Sequence, residues 1–119
     1  MDKLNEMIVY KDAYQLILEV YAVAKHFPEH ERFGLYSQFT RAAVSVAANL
    51  REGYRKQTSK ERLHFYNTAR CSSEECKLYS MLSLDLGYTN VSLEEKYDRV
   101  CKMIYGYCKA IKENSSSDN

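Results

Sequence analysis

The chain has 119 residues, with 17 basic and 16 acidic side chains, four glycines and one proline. A domain of this length buries roughly two-thirds of its unfolded surface, so it needs neither a metal ion nor a disulfide to fold. The formal net charge of +1 excludes a strongly basic nucleic-acid binder of the histone type.

A first helix is predicted from residue 8 to the single proline, Pro28, whose ring ends a helix. Residues of its core-facing stripe recur every three or four positions. They are Val9, Ala13, Leu16, Ile17, Val20, Ala24 and Phe27. Residues 1–7 carry acids and no long apolar run, so no secretory signal is predicted.

The second predicted helix covers residues 33–55 and has an unusual composition. Its core stripe comprises Leu35, Phe39, Ala42, Val46, Leu50 and Gly53. The opposite face carries Arg41, Val44, Ser45, Ala48 and Glu52. These are mostly small residues where long charged side chains are usual, so we expect this face to be buried as well. Such a helix is either a central element or an oligomer interface.

The third and fourth helices are predicted to begin at capping boxes, Thr58 with Glu61 and Ser92 with Glu95. The third is expected to bury a broad, rather polar surface and to end at Gly87. That surface comprises Leu63, Phe65, Tyr66, Ala69, Ser72, Ser73, Cys76, Tyr79, Leu82 and Leu86. The fourth has the cleanest stripe, formed by Leu93, Tyr97, Val100, Cys101, Ile104, Cys108 and Ile111.

Four helices of similar length with short connections predict an all-α fold, an antiparallel up-down-up-down four-helix bundle. We expect one domain over residues 1–113 and a disordered polar tail over residues 114–119. No segment approaches the roughly 20 apolar residues of a membrane span. A cytoplasmic location is therefore expected, with the four cysteines as free thiols.

The runs SQFTRAAVSVAANLREG, SKERLHFYNTAR, CSSEE and DLGY resemble the four-helix-bundle family of 23S rRNA-intervening-sequence proteins. The resemblance covers residues 8–110. The family motif of the second helix falls on Ser37, Gln38, Arg41, Ala42, Ala43, Asn49, Glu52 and Gly53. In the third helix, Ala69, Ser72 and Glu75 match, while Cys71 stands where the family usually has glycine.

This resemblance implies an antiparallel four-helix bundle that assembles into a barrel-like homopentamer. It does not imply a biochemical activity. A related branch is the accessory protein of diversity-generating retroelements, a strongly basic pentamer that works with a reverse transcriptase and nucleic acid. The net charge of +1 departs from that branch.

Metal and cofactor sites are not expected. Glu61 and His64 have the Glu-x-x-His spacing of di-iron bundles, but such sites need a second copy, and Glu61 is already assigned to a cap. His26 and His30 are four residues apart with Pro28 between them, so we expect them in a loop. The cysteines have no Cys-x-x-Cys spacing and are interpreted as small core residues.

Five polar residues allow two interpretations. They are Gln38, Arg41, Asn49, Glu52 and Glu75. Carboxylates near an arginine can form an acid-base site, which would make the protein an enzyme. The chain has no accompanying nucleophile, phosphate loop or paired histidines, so we favour a structural polar network and a non-catalytic protein.

A basic segment suggests a function. Residues 51–70 hold six basic and two acidic side chains, and their aromatic residues include Tyr54, Phe65 and Tyr66. The predicted phosphate-binding residues are Arg51, Arg55, Lys56, Lys60 and Arg62. Two hypotheses follow: an oligomeric module that binds RNA or DNA, or a structural adaptor that binds another protein and leaves this corner solvated.

Overall fold

The computed structural model describes residues 3–115, and all regular structure in that range is helical. The four α-helices are α1 (Ile8–Ala24), α2 (Leu35–Arg55), α3 (Ser59–Asp85) and α4 (Glu94–Ser115). Short 3₁₀ helices, Lys3–Glu6 and Glu29–Glu31, precede α1 and α2. The prediction of an all-α chain with four helices is confirmed. The predicted tail lies partly in α4, which extends through Ser115, and residues 116–119 lie outside the described part of the chain.

The core contains the predicted stripes of α1, α2 and α4. All six core residues predicted for α2 are buried, and so are all of those predicted for α1 and its flank except Ile17, which is half-buried. In α4, only Ile111 is half-buried rather than buried. α1 ends at Ala24, earlier than Pro28 requires, and Phe27 is buried from the connection that follows. Periodicity therefore located the core correctly, because the apolar stripes face one shared interior.

α3 contributes a narrower and more polar face than predicted. Ser72, Ser73, Ser80 and Ser83 are buried beside Tyr66, Ala69 and Cys76. The expected burial of Leu82 and Leu86 is wrong, because these side chains are 41% and 48% exposed. Leu82 lies nine positions, about two and a half turns, beyond Ser73 and so faces away from the core. Leu86 follows the last helical residue.

α2 and α3 approach each other closely at Gly53. A Cβ atom on Gly53 would lie only 2.6 Å from Cε1 of the Tyr66 ring. The absence of a side chain therefore lets Tyr66 pack directly on the α2 backbone. Cys71, where the family usually has glycine, is exposed.

The predicted helix ends are confirmed at two places and corrected at a third. The Glu61 amide donates to Thr58 Oγ1 (3.2 Å), and the Thr58 hydroxyl donates to the Glu61 carboxylate (2.9 Å). Gly87 has the predicted left-handed conformation, with φ of 76°. The box at Ser92 is not formed as predicted: Ser92 Oγ accepts from the Glu94 amide (3.3 Å) and α4 begins at Glu94. The buried Ser80 hydroxyl instead accepts from the Leu93 amide (2.8 Å), which fixes the entry to α4.

Candidate nucleic-acid interface

The five predicted phosphate-binding residues lie at one place along the chain, the end of α2 and the start of α3. Arg51 and Arg55 are in the last turns of α2, Lys56 follows that helix, and Lys60 and Arg62 are in the first turn of α3. Arg51, Arg55 and Lys60 are exposed, whereas Lys56 and Arg62 are half-buried. The tight α2–α3 turn therefore gathers five cations at one end of the molecule.

Three of these cations have defined contacts with other groups of the chain, and each has different partners. Arg51 donates from Nη1 to the Tyr10 hydroxyl of α1 (3.2 Å). The Lys56 ammonium lies 5.2 Å from the centre of the Phe65 ring and 3.9 Å from a carboxylate oxygen of Glu52.

Arg62 is held by a third kind of contact. Its Nε donates to the backbone carbonyl of Lys56 (2.9 Å), which closes the α2–α3 turn. The surface is therefore a band of oriented positive charges around the turn, with Glu52 as a local counter-charge. Such an arrangement can hold the phosphates of an extended backbone.

Sequence reasoning missed residues from both ends of the chain that lie beside this turn. Lys3, Met7, Tyr107 and Ile111 line one cavity together with Tyr54, Arg62 and Tyr66. The predicted connectivity could have identified them. In an up-down-up-down bundle with short connections, the start of the first helix and the end of the fourth lie at the same end as the turn between the second and third helices. Lys3 and Tyr107 are outside every predicted stripe, so periodicity did not single them out.

The predicted polar network is divided into separate contacts. The Tyr79 hydroxyl donates to the Gln38 side-chain oxygen (3.3 Å) and to the Glu75 carboxylate (3.5 Å). Burial raises the pKa of Tyr79, and the negative charge of Glu75 raises it further. Asn49 Nδ2 donates to Ser45 Oγ (3.0 Å), which shares a hydrogen bond with Ser72 Oγ (2.8 Å). Both sets join α2 to α3.

Arg41 and Glu52 take no part in either set. Both side chains are exposed, and Glu52 contacts Lys56. Eleven residues separate Arg41 from Glu52, which is about 16 Å along a helix, so the two side chains of one chain cannot pair. The structure of this chain does not bring the five residues together.

Residues of the small-residue face of α2 are exposed to solvent in this chain. Val44 is 42% exposed, and Arg41 and Ala48 are exposed beside it. α1 and α3 pack on the other sides of α2. The second face of α2 therefore has no cover from its own chain over the described residues.

The histidines and acids considered for metal binding have other contacts. His64 is exposed, with its ring centre 5.0 Å from that of Phe65, while Glu61 accepts from Thr58. His30 Nε2 lies 3.4 Å from the Tyr88 hydroxyl, and His26 is exposed. Over residues 3–115, no three His, Cys, Asp or Glu side chains cluster as they would around a metal ion.

The four cysteines are unpaired thiols, and three are buried. Burial raises the pKa of Cys76 and of Cys101 to about 12 and also raises that of Cys108. Buried thiols with raised pKa values are poor nucleophiles, which fits their interpretation as core residues. Among the helices of the described segment, none has both the length and the apolar character to cross a membrane.

Comparison with known proteins places this geometry in a family. A crystal structure of a protein of unknown function from the S23 ribosomal protein family of Bacteroides thetaiotaomicron VPI-5482 superposes with a TM-score of 0.78. The alignment covers 91% of this chain and 99% of that chain at 18% sequence identity, which shows a shared fold. No curated protein matches the sequence. The family model of the 23S rRNA-intervening sequence proteins matches residues 5–106. The chain therefore belongs to the 23S rRNA-intervening sequence protein family.

Proposed function

We propose that this protein is a non-catalytic, oligomeric module that acts in the cytoplasm and binds nucleic acid weakly through the cations of the α2–α3 turn. The observation that carries the proposal is the gathering of Arg51, Arg55, Lys56, Lys60 and Arg62 at one end of the molecule. Proteins hold the phosphate backbone mainly with such Lys and Arg side chains, without reading sequence.

Charge distribution supports a local rather than a long-range attraction. The net charge is only +1, and residues 71–95 hold five acidic and one basic side chain. Affinity is therefore expected to be modest and to depend strongly on salt. Each phosphate neutralised should contribute roughly 0.7 to 0.9 logarithmic units of affinity per tenfold change in salt.

The test is a fluorescence-anisotropy titration of labelled single- and double-stranded oligonucleotides at two salt concentrations. Arg55→Glu/Lys56→Glu should abolish binding at both. The hydrogen bond from Arg62 to residue 56 uses a backbone carbonyl, so the variant retains that bond. Lys25→Glu/Arg32→Glu changes the net charge equally beyond the other end of α2 and should bind like the wild type. Equal binding by all three proteins, or none by the wild type, would contradict the proposal.

The assignment as non-catalytic is supported by the structural use of the polar groups considered for catalysis. Glu75 accepts from Tyr79, and Asn49 bonds to Ser45. Tyr79 and Ser45 in turn bond across to Gln38 and Ser72, so these groups take part in packing α3 on α2.

We also propose that the four helices run antiparallel, in up-down-up-down order. The support is that side-chain contacts between successive helices occur in opposite order along the two helices. These contacts are Tyr10 with Arg51, Tyr21 with Tyr36, Gln38 with Tyr79, Ser45 with Ser72, Asn67 with Cys108 and Lys77 with Asp98.

The proposed assembly is a homo-oligomer through the exposed face of α2, with the pentamer implied by family resemblance as its expected size. Ala48 is at the middle of this face, beside Val44. Ala48→Glu should dissociate the assembly, because burying an unpaired charge costs on the order of several kcal/mol. Light scattering after size exclusion measures the mass. Ala110→Glu, the same change on an exposed position of α4, should keep the wild-type mass, and a monomeric wild type would contradict the assembly.

A second candidate function is that of an adaptor that binds another protein. It is favoured by a row of leucines on the outer side of α3 and just beyond it, where Leu78, Leu82 and Leu86 are 57%, 41% and 48% exposed. This hypothesis predicts no retention of RNA or DNA even at low salt.

A further inference from the structure

A cavity of about 590 Å³ lies beside the basic α2–α3 turn. Four parts of the chain contribute to it: the first 3₁₀ helix and its flank, the end of α2, the start of α3 and the end of α4. Its lining residues are Lys3, Met7, Tyr54, Arg62, Tyr66, Tyr107 and Ile111. The volume is within the roughly 300–1,000 Å³ typical of small-ligand sites.

Three tyrosine rings form the aromatic part of the lining. Tyr66 is buried against Gly53 and is therefore fixed in place. The Tyr107 ring centre lies 6.4 Å from that of Tyr66, with 59° between the ring planes. Tyr107 is 38% exposed, so its ring is accessible from solvent, and Tyr54 is half-buried. The Tyr66 and Tyr107 rings are not stacked face to face, which leaves surface of the exposed Tyr107 ring for a planar guest.

The cavity is also positively charged. Arg62 and Lys3 are its two ionisable cations, and none of the seven lining residues is acidic. The Nε atom of Arg62 is bound to the Lys56 carbonyl, which fixes the plane of the guanidinium. No hydrogen bond within the described chain engages its two terminal nitrogens, and these can donate to an anion in bidentate geometry.

The Arg62 charge is close enough to the tyrosines to act on the Tyr66 hydroxyl. Burial raises the pKa of Tyr66, and the nearby Arg62 charge opposes that rise. Tyr107 and Tyr54 are close enough to act on the same hydroxyl. A ligand in this cavity therefore meets aromatic faces and a fixed positive charge within one small volume.

We propose that this cavity binds one unstacked nucleobase, with the phosphate attached to that nucleotide paired to Arg62. Aromatic side chains stack bases of any identity, and a guanidinium recognises phosphate. The inference rests on the proposed function and adds a preference to it. Only a single strand, a strand end or a free nucleotide can supply a base that is not held in a duplex.

The test compares three ligands by anisotropy and fluorescence: a single-stranded oligonucleotide containing 2-aminopurine, the matching duplex, and free adenosine monophosphate. The wild type should bind the single strand more tightly than the duplex and quench the 2-aminopurine emission by stacking. Tyr107→Ala should weaken single-strand binding roughly 5- to 100-fold, the range expected for loss of base–aromatic stacking. Arg62→Gln should weaken binding as well, by removing the phosphate partner.

Tyr105→Ala is the matched control, because Tyr105 is 55% exposed on the same helix and does not line the cavity. It should bind like the wild type. Binding of adenosine monophosphate that is sensitive to Tyr107→Ala, without binding of strands, would support the cavity as a site for free nucleotides and contradict the proposed strand binding. Strand binding that is lost in Arg55→Glu/Lys56→Glu but unchanged in Tyr107→Ala would overturn the cavity and leave the proposed function standing. Absence of binding to all three ligands would overturn both.

Discussion

At the end of the molecule that holds the α1–α2 connection, a carboxylate and aromatic rings contact one another, whereas the α2–α3 end gathers five cations in a short stretch of chain. Glu31 accepts from the Leu35 amide (3.1 Å) and from the Tyr88 hydroxyl (2.8 Å). The Tyr88 ring also packs on Phe27, with 5.5 Å between ring centres. Tyr88 therefore ties the α3–α4 connection to the α1–α2 connection.

The α2–α3 turn is built differently. It is short, and two local devices fix it, the Thr58 cap and the bond from Arg62 to the Lys56 carbonyl. Neither device uses the ammonium of Lys56 or Lys60. The comparison teaches that one end is closed by a carboxylate and aromatic rings from two connections, while the other is closed by one hydroxyl and one guanidinium nitrogen that bond to the nearby backbone.

Among the substitutions that test this difference between the two ends, Gly53→Ala is expected to lower the free energy of unfolding most. The added Cβ would lie 2.6 Å from the Tyr66 ring, so α3 or the ring must move. Overpacking of this kind typically costs about 1–3 kcal/mol. We expect a lower free energy of unfolding in urea and weaker single-strand binding, because Tyr66 lines the cavity.

Gly106→Ala is the control for that change. No atom lies within 4 Å of its would-be Cβ, and the residue is inside α4. Alanine should raise helix stability there by up to about 1 kcal/mol. Stabilisation by both substitutions would show that the Gly53 contact is not tight.

The sequence predicted most of the helical fold because helix periodicity and capping are local. The buried stripes of α2 and α4 follow from three- and four-residue spacing alone, and the Thr58 cap follows from four consecutive residues. Leu82 was misassigned because α3 has several neighbouring apolar tracks, and only its packing partners select the buried one.

The candidate site could be predicted only in part. Arg55, Lys56 and Lys60 are close in sequence, so their gathering was visible. The cavity joins Lys3 to Tyr107, and such a pairing depends on the relative positions of helices rather than on any local pattern. The predicted polar network does not form one unit, for the same reason. Gln38 bonds to Tyr79 on α3, whereas Asn49 bonds to Ser45 within α2, and it is Ser45 that bonds to Ser72 on α3.

Thr58→Ala should have the next largest effect, about 1 kcal/mol, the usual cost of losing a side-chain N-cap. The Glu61 amide would lose its acceptor, and the first turn of α3 would fray. Thermal unfolding measures the change, and Thr58→Ser, which retains a hydroxyl, should recover most of it. A variant with wild-type stability would show that the turn is held by Arg62 instead.

The smallest effect on stability is expected for Glu31→Gln. This effect should depend on pH, whereas the effect of Thr58→Ala should not. The Glu31 carboxylate accepts from an amide of the first turn of α2, as Thr58 Oγ1 does for α3, but a carboxylate titrates and a hydroxyl does not. The hydrogen bond from the Leu35 amide, and then that from the Tyr88 hydroxyl, lowers the pKa of Glu31. Because the folded pKa is lower than the unfolded value of about 4.3, the stabilisation is fully present above that pH and is lost as the pH falls through the folded pKa.

Glutamine keeps an acceptor oxygen but no charge, so the variant should be slightly less stable than the wild type at pH 7 and equally stable near pH 2. Glu29→Gln, at an exposed position that pairs with Arg32, controls for the loss of one surface acid. Melting temperatures measured from pH 7 to pH 2 decide the matter: a gap between wild type and Glu31→Gln that stays constant across this range would contradict the charged cap.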